Sequence, residues 1–152
     1  MGNLAYAKDF RDLAVYQKAR LAAREVFLIT KSFPREERYS LTDQVRRSSR
    51  SVGAQITEAW AKRRYPKHFI SKLSDADGEQ METQHWLESA LDDGYLTPAD
   101  VARLNGMLAE VGKMLNSMMH KAELFCQDDY GVVREQAAEY FTLSREPLYP
   151  SD

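Results

Sequence analysis

One run of apolar residues, between residues 101 and 125, constrains the fold more than any other part of the sequence. Its positions step alternately by three and four residues, and all are apolar: Val101, Leu104, Leu108, Val111, Leu115, Met118, Ala122 and Phe125. A repeat that averages about 3.5 residues places these side chains on one face of an α-helix, as in left-handed helix bundles. Thr97, Pro98 and Asp100 supply a helix-start signal with a capping box. The run predicts a helix over residues 98–125 that packs against other helices.

Three earlier segments repeat this spacing and predict helices over residues 10–32, 40–64 and 66–94. The first follows Tyr16, Ala19, Ala23, Val26 and Thr30; the second follows Leu41, Val45, Ser48, Val52, Gln55 and Ala59; the third follows Phe69, Leu73, Ala76, Gln80, Thr83, Leu87, Ala90 and Gly94. Ser40 with Asp43 predicts a capping box, and Gly94 suits a helix end. Short links force antiparallel neighbours. We therefore predict an all-α, up-down-up-down antiparallel four-helix bundle.

The length of 152 residues fits one domain, and the composition of 43% hydrophobic and 29% charged residues is that of a globular protein. We expect an N-terminal arm at 1–9, the bundle at 10–125, and an extension at 126–152 with a short helix from Val132 to Leu143. No segment reaches the length of an apolar membrane span, and residues 1–10 lack an apolar signal core. With a lone cysteine, Cys126, these features lead us to expect a cytoplasmic protein with no membrane association.

The second predicted helix is unusually apolar between Val52 and Ala61, where only one of ten residues is charged. Small uncharged residues stand opposite its apolar stripe, and a tryptophan flanks them: Ala54, Thr57, Ala61 and Trp60. The first helix has a comparable second row at Val15, Ala22 and Ile29. We interpret these faces as the interface of a homo-oligomer. The alternative is that residues 126–152 fold back and cover them.

Polar residues within the apolar stripes, namely Ser48, Gln55, Gln80 and Thr83, predict a buried hydrogen-bonded layer rather than a ligand site. No two histidines are spaced as zinc ligands, and the lone Glu82-x-x-His85 element points away from the stripe. Nucleophile-elbow, Walker and dinucleotide motifs do not occur in the sequence. We predict no metal, no cofactor, no catalytic residue and no enzymatic activity. A distant alternative is Arg63 with His68, whose Arg-x4-His spacing resembles the ribonuclease motif of the HEPN superfamily.

Charge is segregated along the chain. Residues 38–72 carry nine Lys or Arg and two acids, a net charge of +7, whereas residues 73–100 carry eight acids and no Lys or Arg. The predicted nucleic-acid-binding residues on the second helix and the following turn are Arg46, Arg47, Arg50, Lys62, Arg63, Arg64 and Lys67. Alternatively, the two segments neutralise each other.

The second helix and its surroundings resemble the 23S rRNA intervening-sequence family, also called the four-helix bundle protein family. The matching residues are Val15 to Ala19, Phe33-Pro34, Glu37, Tyr39, Leu41, Gln44 to Ala59, Phe69, Lys72-Leu73, Ala76, Glu79, Glu82-Thr83, Trp86-Leu87 and Gly94 to Leu96. The family usually has Asn-Ile-Ala-Glu-Gly where this chain has the segment from Gln55 to Ala59, with Gln in place of Asn and Ala in place of Gly.

This resemblance, over residues 9–125, implies a homopentamer around a central channel. It also implies kinship to the accessory proteins of diversity-generating retroelements, which bind nucleic acid and a reverse transcriptase. Two hypotheses follow. In the first, the oligomer is non-catalytic and binds RNA, DNA or a ribonucleoprotein partner such as a reverse transcriptase. In the second, it is a protein-only scaffold whose arginines pair with the acidic third helix of a neighbouring copy.

Overall fold

In a computed structural model of the chain, residues 7–126 are described, and they form an all-helical structure. The four long helices are α1 (Ala14–Thr30), α2 (Leu41–Ala61), α3 (Pro66–Asp92) and α4 (Pro98–His120). Short 3-10 turns lie at Phe10–Asp12, Arg35–Glu37 and Ala122–Leu124, and no strand segment occurs within residues 7–126. The prediction of an all-α fold with four helices is confirmed. The expected helix from Val132 to Leu143 and most of the expected N-terminal arm lie outside the described residues.

The ends of α3 and α4 follow their sequence signals. At the start of α4, the amide of Asp100 donates to Thr97 Oγ1 at 3.1 Å and the amide of Thr97 donates to Asp100 Oδ2 at 3.2 Å. This is the predicted capping box. Gly94 follows α3 with a φ of +79°, a conformation that glycine adopts without the steric cost of a Cβ. Its amide donates to the Leu91 carbonyl at 3.0 Å, and this glycine therefore ends the helix as expected.

The start of α2 differs from the prediction, because the Ser40 side chain does not cap the helix. Glu37 does so from the preceding 3-10 turn: its Oε2 accepts from the Leu41 amide at 3.1 Å and from the Ser40 hydroxyl at 2.7 Å. Tyr95 OH donates to the other carboxylate oxygen at 3.2 Å. The hydroxyl of Ser40 is thus occupied by Glu37, and the capping box with Asp43 does not form. The hydrogen bond from Ser40, followed by that from the Leu41 amide, lowers the pKa of Glu37.

The helices pack through the predicted apolar stripes. Helix α1 contacts α2 and α4, and α3 contacts α2 and α4, which is consistent with a bundle. Every predicted stripe position of α4 from Val101 to Phe125 is buried. The polar layer is also buried at Ser48, Gln80 and Thr83, and Thr83 Oγ1 lies 2.8 Å from Ser48 Oγ. This pair satisfies two hydroxyls that would otherwise weaken the interface between α2 and α3.

Helix α1 buries more of its surface than the sequence indicated. Val15 and Ala22 are 0% and 2% exposed and lie in the core, and Ile29 packs against the core while partly buried. The prediction that this row forms an association surface is wrong, because neighbours on both sides of α1 widen its buried stripe. Trp60 is likewise in the core, at 9% exposure. Within residues 7–126 no helix has the length and apolarity that a membrane crossing needs.

Candidate nucleic-acid interface

A groove of about 430 Å³ runs between α1 and α2. It exists because small residues, Ala19 and Ala23 on α1 and Gly53 and Ala54 on α2, face it where longer side chains would fill the space. The other lining side chains are longer and are mainly aromatic or cationic: Tyr16, Arg20, Arg24, Phe27, Ser49, Arg50 and Thr57. The groove therefore combines a shallow apolar floor with a positively charged rim.

The centre of the charged rim is the ring of Phe27. Four cationic groups surround this ring at 4.8–5.7 Å from its centroid, two of them from α1 or the residue after it and two from α2: Arg24, Lys31, Arg46 and Arg50. The guanidinium of Arg20 lies 5.9 Å from the ring of Tyr16. Cations over an aromatic face are attracted by its quadrupole, which offsets part of their mutual repulsion. We call Arg20, Arg24, Lys31, Arg46 and Arg50 the cationic rim.

Arg46 is held more firmly than the other members. Its Nε donates to Thr30 Oγ1 at 2.8 Å, and the residue is half-buried. This contact leaves the two terminal NH₂ groups of Arg46 without a hydrogen-bonded acceptor in the part of the chain that the structure describes. Arg20, Arg50 and Lys31 are exposed. Within residues 7–126, the ion pairs include none of Arg20, Lys31, Arg46 and Arg50.

The other predicted binding residues lie apart from this groove. Arg47 is exposed and lies near the acidic α3, where its charge opposes the rise in the pKa of Glu79. That pKa is raised mainly because burial desolvates the carboxyl, with a further contribution from Glu82. Three other predicted binding residues are exposed near the turn between α2 and α3: Lys62, Arg64 and Lys67. The sequence-predicted set thus divides between two surfaces.

Arg63 does not belong to either surface. It is 8% exposed, its Nε donates to the Trp60 carbonyl at 2.9 Å, and its guanidinium lies 3.5 Å from the centroid of the Trp60 ring. A buried guanidinium stacked on a tryptophan cannot reach a phosphate in solution. We therefore remove Arg63 from the candidate surface. The same burial argues against the nuclease pairing with His68, whose exposed ring packs near that of Tyr65.

The residues predicted to form the oligomer interface also divide into exposed and buried positions. Ala54 and Ala61 are exposed, and Thr57 is half-buried with its hydroxyl donating to the Gly53 carbonyl at 2.9 Å. Trp60 is turned into the core and offers no outer surface. Ala54 and Thr57 line the same groove as Arg50. The small-residue face and the cationic rim are therefore adjacent.

Three members of the cationic rim, Arg20, Arg24 and Lys31, were not singled out from the sequence. The available signal was the i, i+4 spacing of Arg20 and Arg24, which places both on one face of α1. That spacing is also typical of an ordinary solvated helix face. Only the packing of α1 against α2 brings these residues beside Arg46 and Arg50.

The side chains suited to metal binding or to nucleophilic chemistry are dispersed. Glu82 and His85 are both exposed on α3, as expected from their position away from its buried stripe. Within residues 7–126, no three His, Cys, Asp or Glu side chains form a group that could hold a metal ion. Cys126 is half-buried, and desolvation raises the pKa of its thiol.

The fold and this surface define a class of small all-helical proteins with four packed helices and a cationic groove. The sequence matches the profile of the 23S rRNA-intervening sequence protein family over residues 11–117, and the chain belongs to that family. It is also similar to a solved structure described as a protein with unknown function from the S23 ribosomal protein family of Bacteroides thetaiotaomicron VPI-5482. That similarity has 31% sequence identity and a TM-score of 0.61, and it covers 69% of this chain and 97% of the other. No curated protein matches the chain.

Proposed function

We propose that this protein is a non-catalytic nucleic-acid-binding protein whose principal contact surface is the groove between α1 and α2. The observation that carries the proposal is the cationic rim. Four of its five cations converge on the Phe27 ring, and Arg20, Lys31, Arg46 and Arg50 have no ion-pair partner within residues 7–126. Like charges held together in a fold repel one another, and a polyanion relieves that repulsion.

Binding through this groove would be mainly to the phosphate backbone. The rings of Phe27 and Tyr16 are partly buried and have cationic groups over them, so they offer little free face for stacking on bases. Contacts between arginine and phosphate carry little sequence information. The proposal therefore describes sequence-tolerant binding of RNA or DNA that weakens steeply with salt.

We further propose that the four helices run up-down-up-down. Two contacts support antiparallel α2 and α3: the earlier residue Ser48 meets the later Thr83, whereas the later Gln55 accepts from the earlier Lys72 at 3.5 Å. Two ion pairs relate α1 and α4 in the same manner, Lys18 with Glu110 and Glu25 with Arg103.

The proposed assembly is a homo-oligomer that uses the exposed small residues of α2. Ala61 is uncharged and exposed and does not line the groove, which supports close approach of another helix at this end of α2. The number five rests on the family resemblance, as does the proposal that the partner is a reverse transcriptase or another ribonucleoprotein. Ala61→Glu should dissociate the oligomer while helicity is retained, because it places an unpaired charge in the interface. Light scattering that finds only 17.5 kDa particles for the unmodified protein would refute the assembly.

The function is tested by charge reversal on the two surfaces that carry cations. Arg20→Glu with Arg50→Glu changes exposed groups of the groove, and Lys62→Glu with Lys67→Glu changes the turn between α2 and α3 by the same total charge. We avoid Arg46 in this test, because its hydrogen bond to Thr30 also supports the packing of α1 on α2. Mobility-shift titrations with single-stranded and duplex RNA at about 50 mM salt give the readout.

The expected result is loss of binding for the groove variant and a smaller effect for the turn variant. Loss only in the turn variant would move the interface to Lys62, Arg64 and Lys67. No binding by the unmodified protein at tens of micromolar would refute the proposal and favour the scaffold, in which these arginines pair with acidic α3 of a neighbour. Circular dichroism of each variant confirms that the helices remain folded.

A further inference from the structure

A second, smaller groove lies where the chain turns from α1 into α2. Its volume is about 290 Å³, and four cationic residues line it: Lys31, Arg35, Arg38 and Arg46. Two threonines, Thr30 and Thr42, line it as well. Arg46 also contacts Phe27, so it joins this groove to the cationic rim described above. We call this second groove the end pocket, because it lies at the turn that terminates the α1–α2 face.

The positive charge of the end pocket is not balanced locally. The nearest acids in sequence are Glu36, Glu37 and Asp43, and none of them lines the pocket. Glu37 is already engaged by Ser40, the Leu41 amide and Tyr95. Within the described residues, none of the four lining cations takes part in an ion pair. Four cations around so small a volume favour a ligand with more than one negative charge.

Two further features indicate that the end pocket is a preformed binding site. Thr42 is 7% exposed, and its buried hydroxyl has no hydrogen-bond partner among residues 7–126. Buried hydroxyls are nearly always satisfied, and an unsatisfied one beside a charged pocket points to a missing ligand oxygen. Arg46 is fixed by Thr30 through Nε, which leaves its terminal NH₂ groups available for a second acceptor. Phosphate oxygens suit both groups.

An exposed aromatic residue directly follows Arg38, one of the residues that line the pocket. Tyr39 is 87% exposed, and the guanidinium of its neighbour Arg38 lies 5.8 Å from the ring centroid. The surrounding fold covers little of this ring, unlike those of Phe27 and Tyr16, which lie in the floor of the larger groove. Exposed aromatic side chains next to phosphate-binding residues are suited to stacking on a nucleobase.

We propose that the end pocket binds the terminal phosphate of a nucleic-acid strand, with Tyr39 stacking on the last base; this inference rests on the proposed function. A terminal phosphate monoester carries about −1.5 to −2 charges at pH 7, more than the single charge of an internal phosphodiester. The volume of 290 Å³ lies just below the usual range of about 300–1,000 Å³ for small-ligand sites, and it suits one nucleotide rather than a length of backbone. The continuing strand then follows the cationic rim.

The test compares short single-stranded RNA oligonucleotides of one sequence that end in a 5′-phosphate, a 3′-phosphate or only hydroxyls. Fluorescence anisotropy at about 50 mM salt measures their affinities for the full chain. We expect one phosphorylated end to bind at least ~10-fold more tightly than the hydroxyl form, since it adds charge-assisted hydrogen bonds. Arg38→Gln and, separately, Thr42→Val should remove this preference while leaving affinity for the hydroxyl form nearly unchanged. Lys62→Gln, which removes an equal charge outside the pocket, is the matched control and should keep the preference.

Each outcome separates the two proposals. Equal binding of all three oligonucleotides would overturn the end pocket and leave the groove function standing, whereas no binding of any would overturn both. A preference that survives in Arg38→Gln and Thr42→Val would place the terminal phosphate elsewhere and also overturn the inference. Competition by adenosine monophosphate as strong as that of the phosphorylated strand would show that a free nucleotide is the ligand, which again contradicts a strand-end site. Tyr39→Ala should weaken the phosphorylated strand but leave inorganic phosphate competition unchanged.

Discussion

The two long edges of α1 carry similar numbers of charged residues but arrange them in opposite ways. On the edge toward α4, each cation meets a carboxylate: Lys18 Nζ lies 2.5 Å from Glu110, and Arg103 of α4 lies 3.1 Å from Glu25. On the edge toward α2, Arg20 and Lys31 face further cations from α2. One helix therefore has a neutralised edge and a cationic edge.

This difference distinguishes an edge suited to helix packing from an edge suited to ligand binding. Exposed ion pairs contribute little free energy, but they allow two helices to lie together without repulsion. A row of like charges does the reverse, and the aromatic rings beside these cations offset part of that repulsion. A fold could place acids along α2 as easily as along α4. The cationic edge is therefore the feature that supports the proposed polyanionic ligand.

The most direct test of this comparison removes two cations from the α1–α2 side and, separately, two from the α1–α4 side. Arg20→Ala with Arg50→Ala should lower RNA affinity about ten-fold or more at low salt and reduce the slope of log K against log salt by about 2. Lys18→Ala with Arg103→Ala removes the same charge, yet we expect little change, because those cations are already neutralised by Glu110 and Glu25. Anisotropy titrations at several salt concentrations measure both quantities.

Equal losses for the two double variants would mean that net charge, rather than the position of the groove, controls binding. The cationic edge would then have no special role, and the functional proposal would lose its main support.

A smaller effect should appear in the stability of the same proteins, with the order reversed. Lys18→Ala with Arg103→Ala should lower the free energy of unfolding by up to about 1 kcal/mol, because two partly exposed ion pairs are lost. Arg20→Ala with Arg50→Ala should change it by less than about 0.5 kcal/mol, as lost contacts with Tyr16 and Phe27 are offset by relief of repulsion. Urea denaturation at low salt measures both. A larger loss for the Arg20 and Arg50 variant would assign those residues a structural role.

The helical fold can be predicted from the sequence because the spacing of apolar residues is a local property that packing does not change. Val101, Leu104 and Leu108 step along one face in any bundle, and all three are buried. The breadth of a buried face is not local, and the prediction that Val15, Ala22 and Trp60 are outer residues is therefore wrong. Small and aromatic residues suit an oligomer interface and a core equally well, and neighbours on both sides decided the matter.

For the same reason, the sequence predicts only part of the candidate site. A cluster of arginines on α2 is visible in the sequence, but its convergence on Phe27 depends on how α1 packs. Arg63 belongs to the same charged segment and is nevertheless buried against Trp60. At the start of α2, Glu37 displaces Ser40 as the cap because the 3-10 turn brings its carboxylate to the helix end. Charge in a sequence shows which side chains are available, and packing decides which of them face solvent together.

The smallest expected effects concern two carboxylates. Glu37, before the start of α2, accepts several hydrogen bonds, whereas Glu79 on α3 lies near other acids. The pKa of Glu37 is lowered from 4.5, first by the hydrogen bond from Ser40 and then by that from the Leu41 amide. Its contribution to stability is therefore present above the unfolded-state pKa and is lost as pH falls through the folded-state value. The pKa of Glu79 is raised from 4.5, first by burial and then by Glu82, so its contribution is present at acid pH and is lost as pH rises.

Glu37→Gln should accordingly destabilise the protein near neutral pH, and the difference should shrink toward about pH 3, where both residues are neutral. Glu79→Gln should stabilise the protein near neutral pH, because it relieves repulsion from Glu82 and Asp75, and this difference should also shrink on acidification. Urea unfolding of the two variants and the unmodified chain at about pH 7 and about pH 3 measures the signs. The same sign for both substitutions at neutral pH would contradict the contrast, because it would mean that hydrogen-bond donors at Glu37 and neighbouring acids at Glu79 do not determine how each carboxylate contributes to stability.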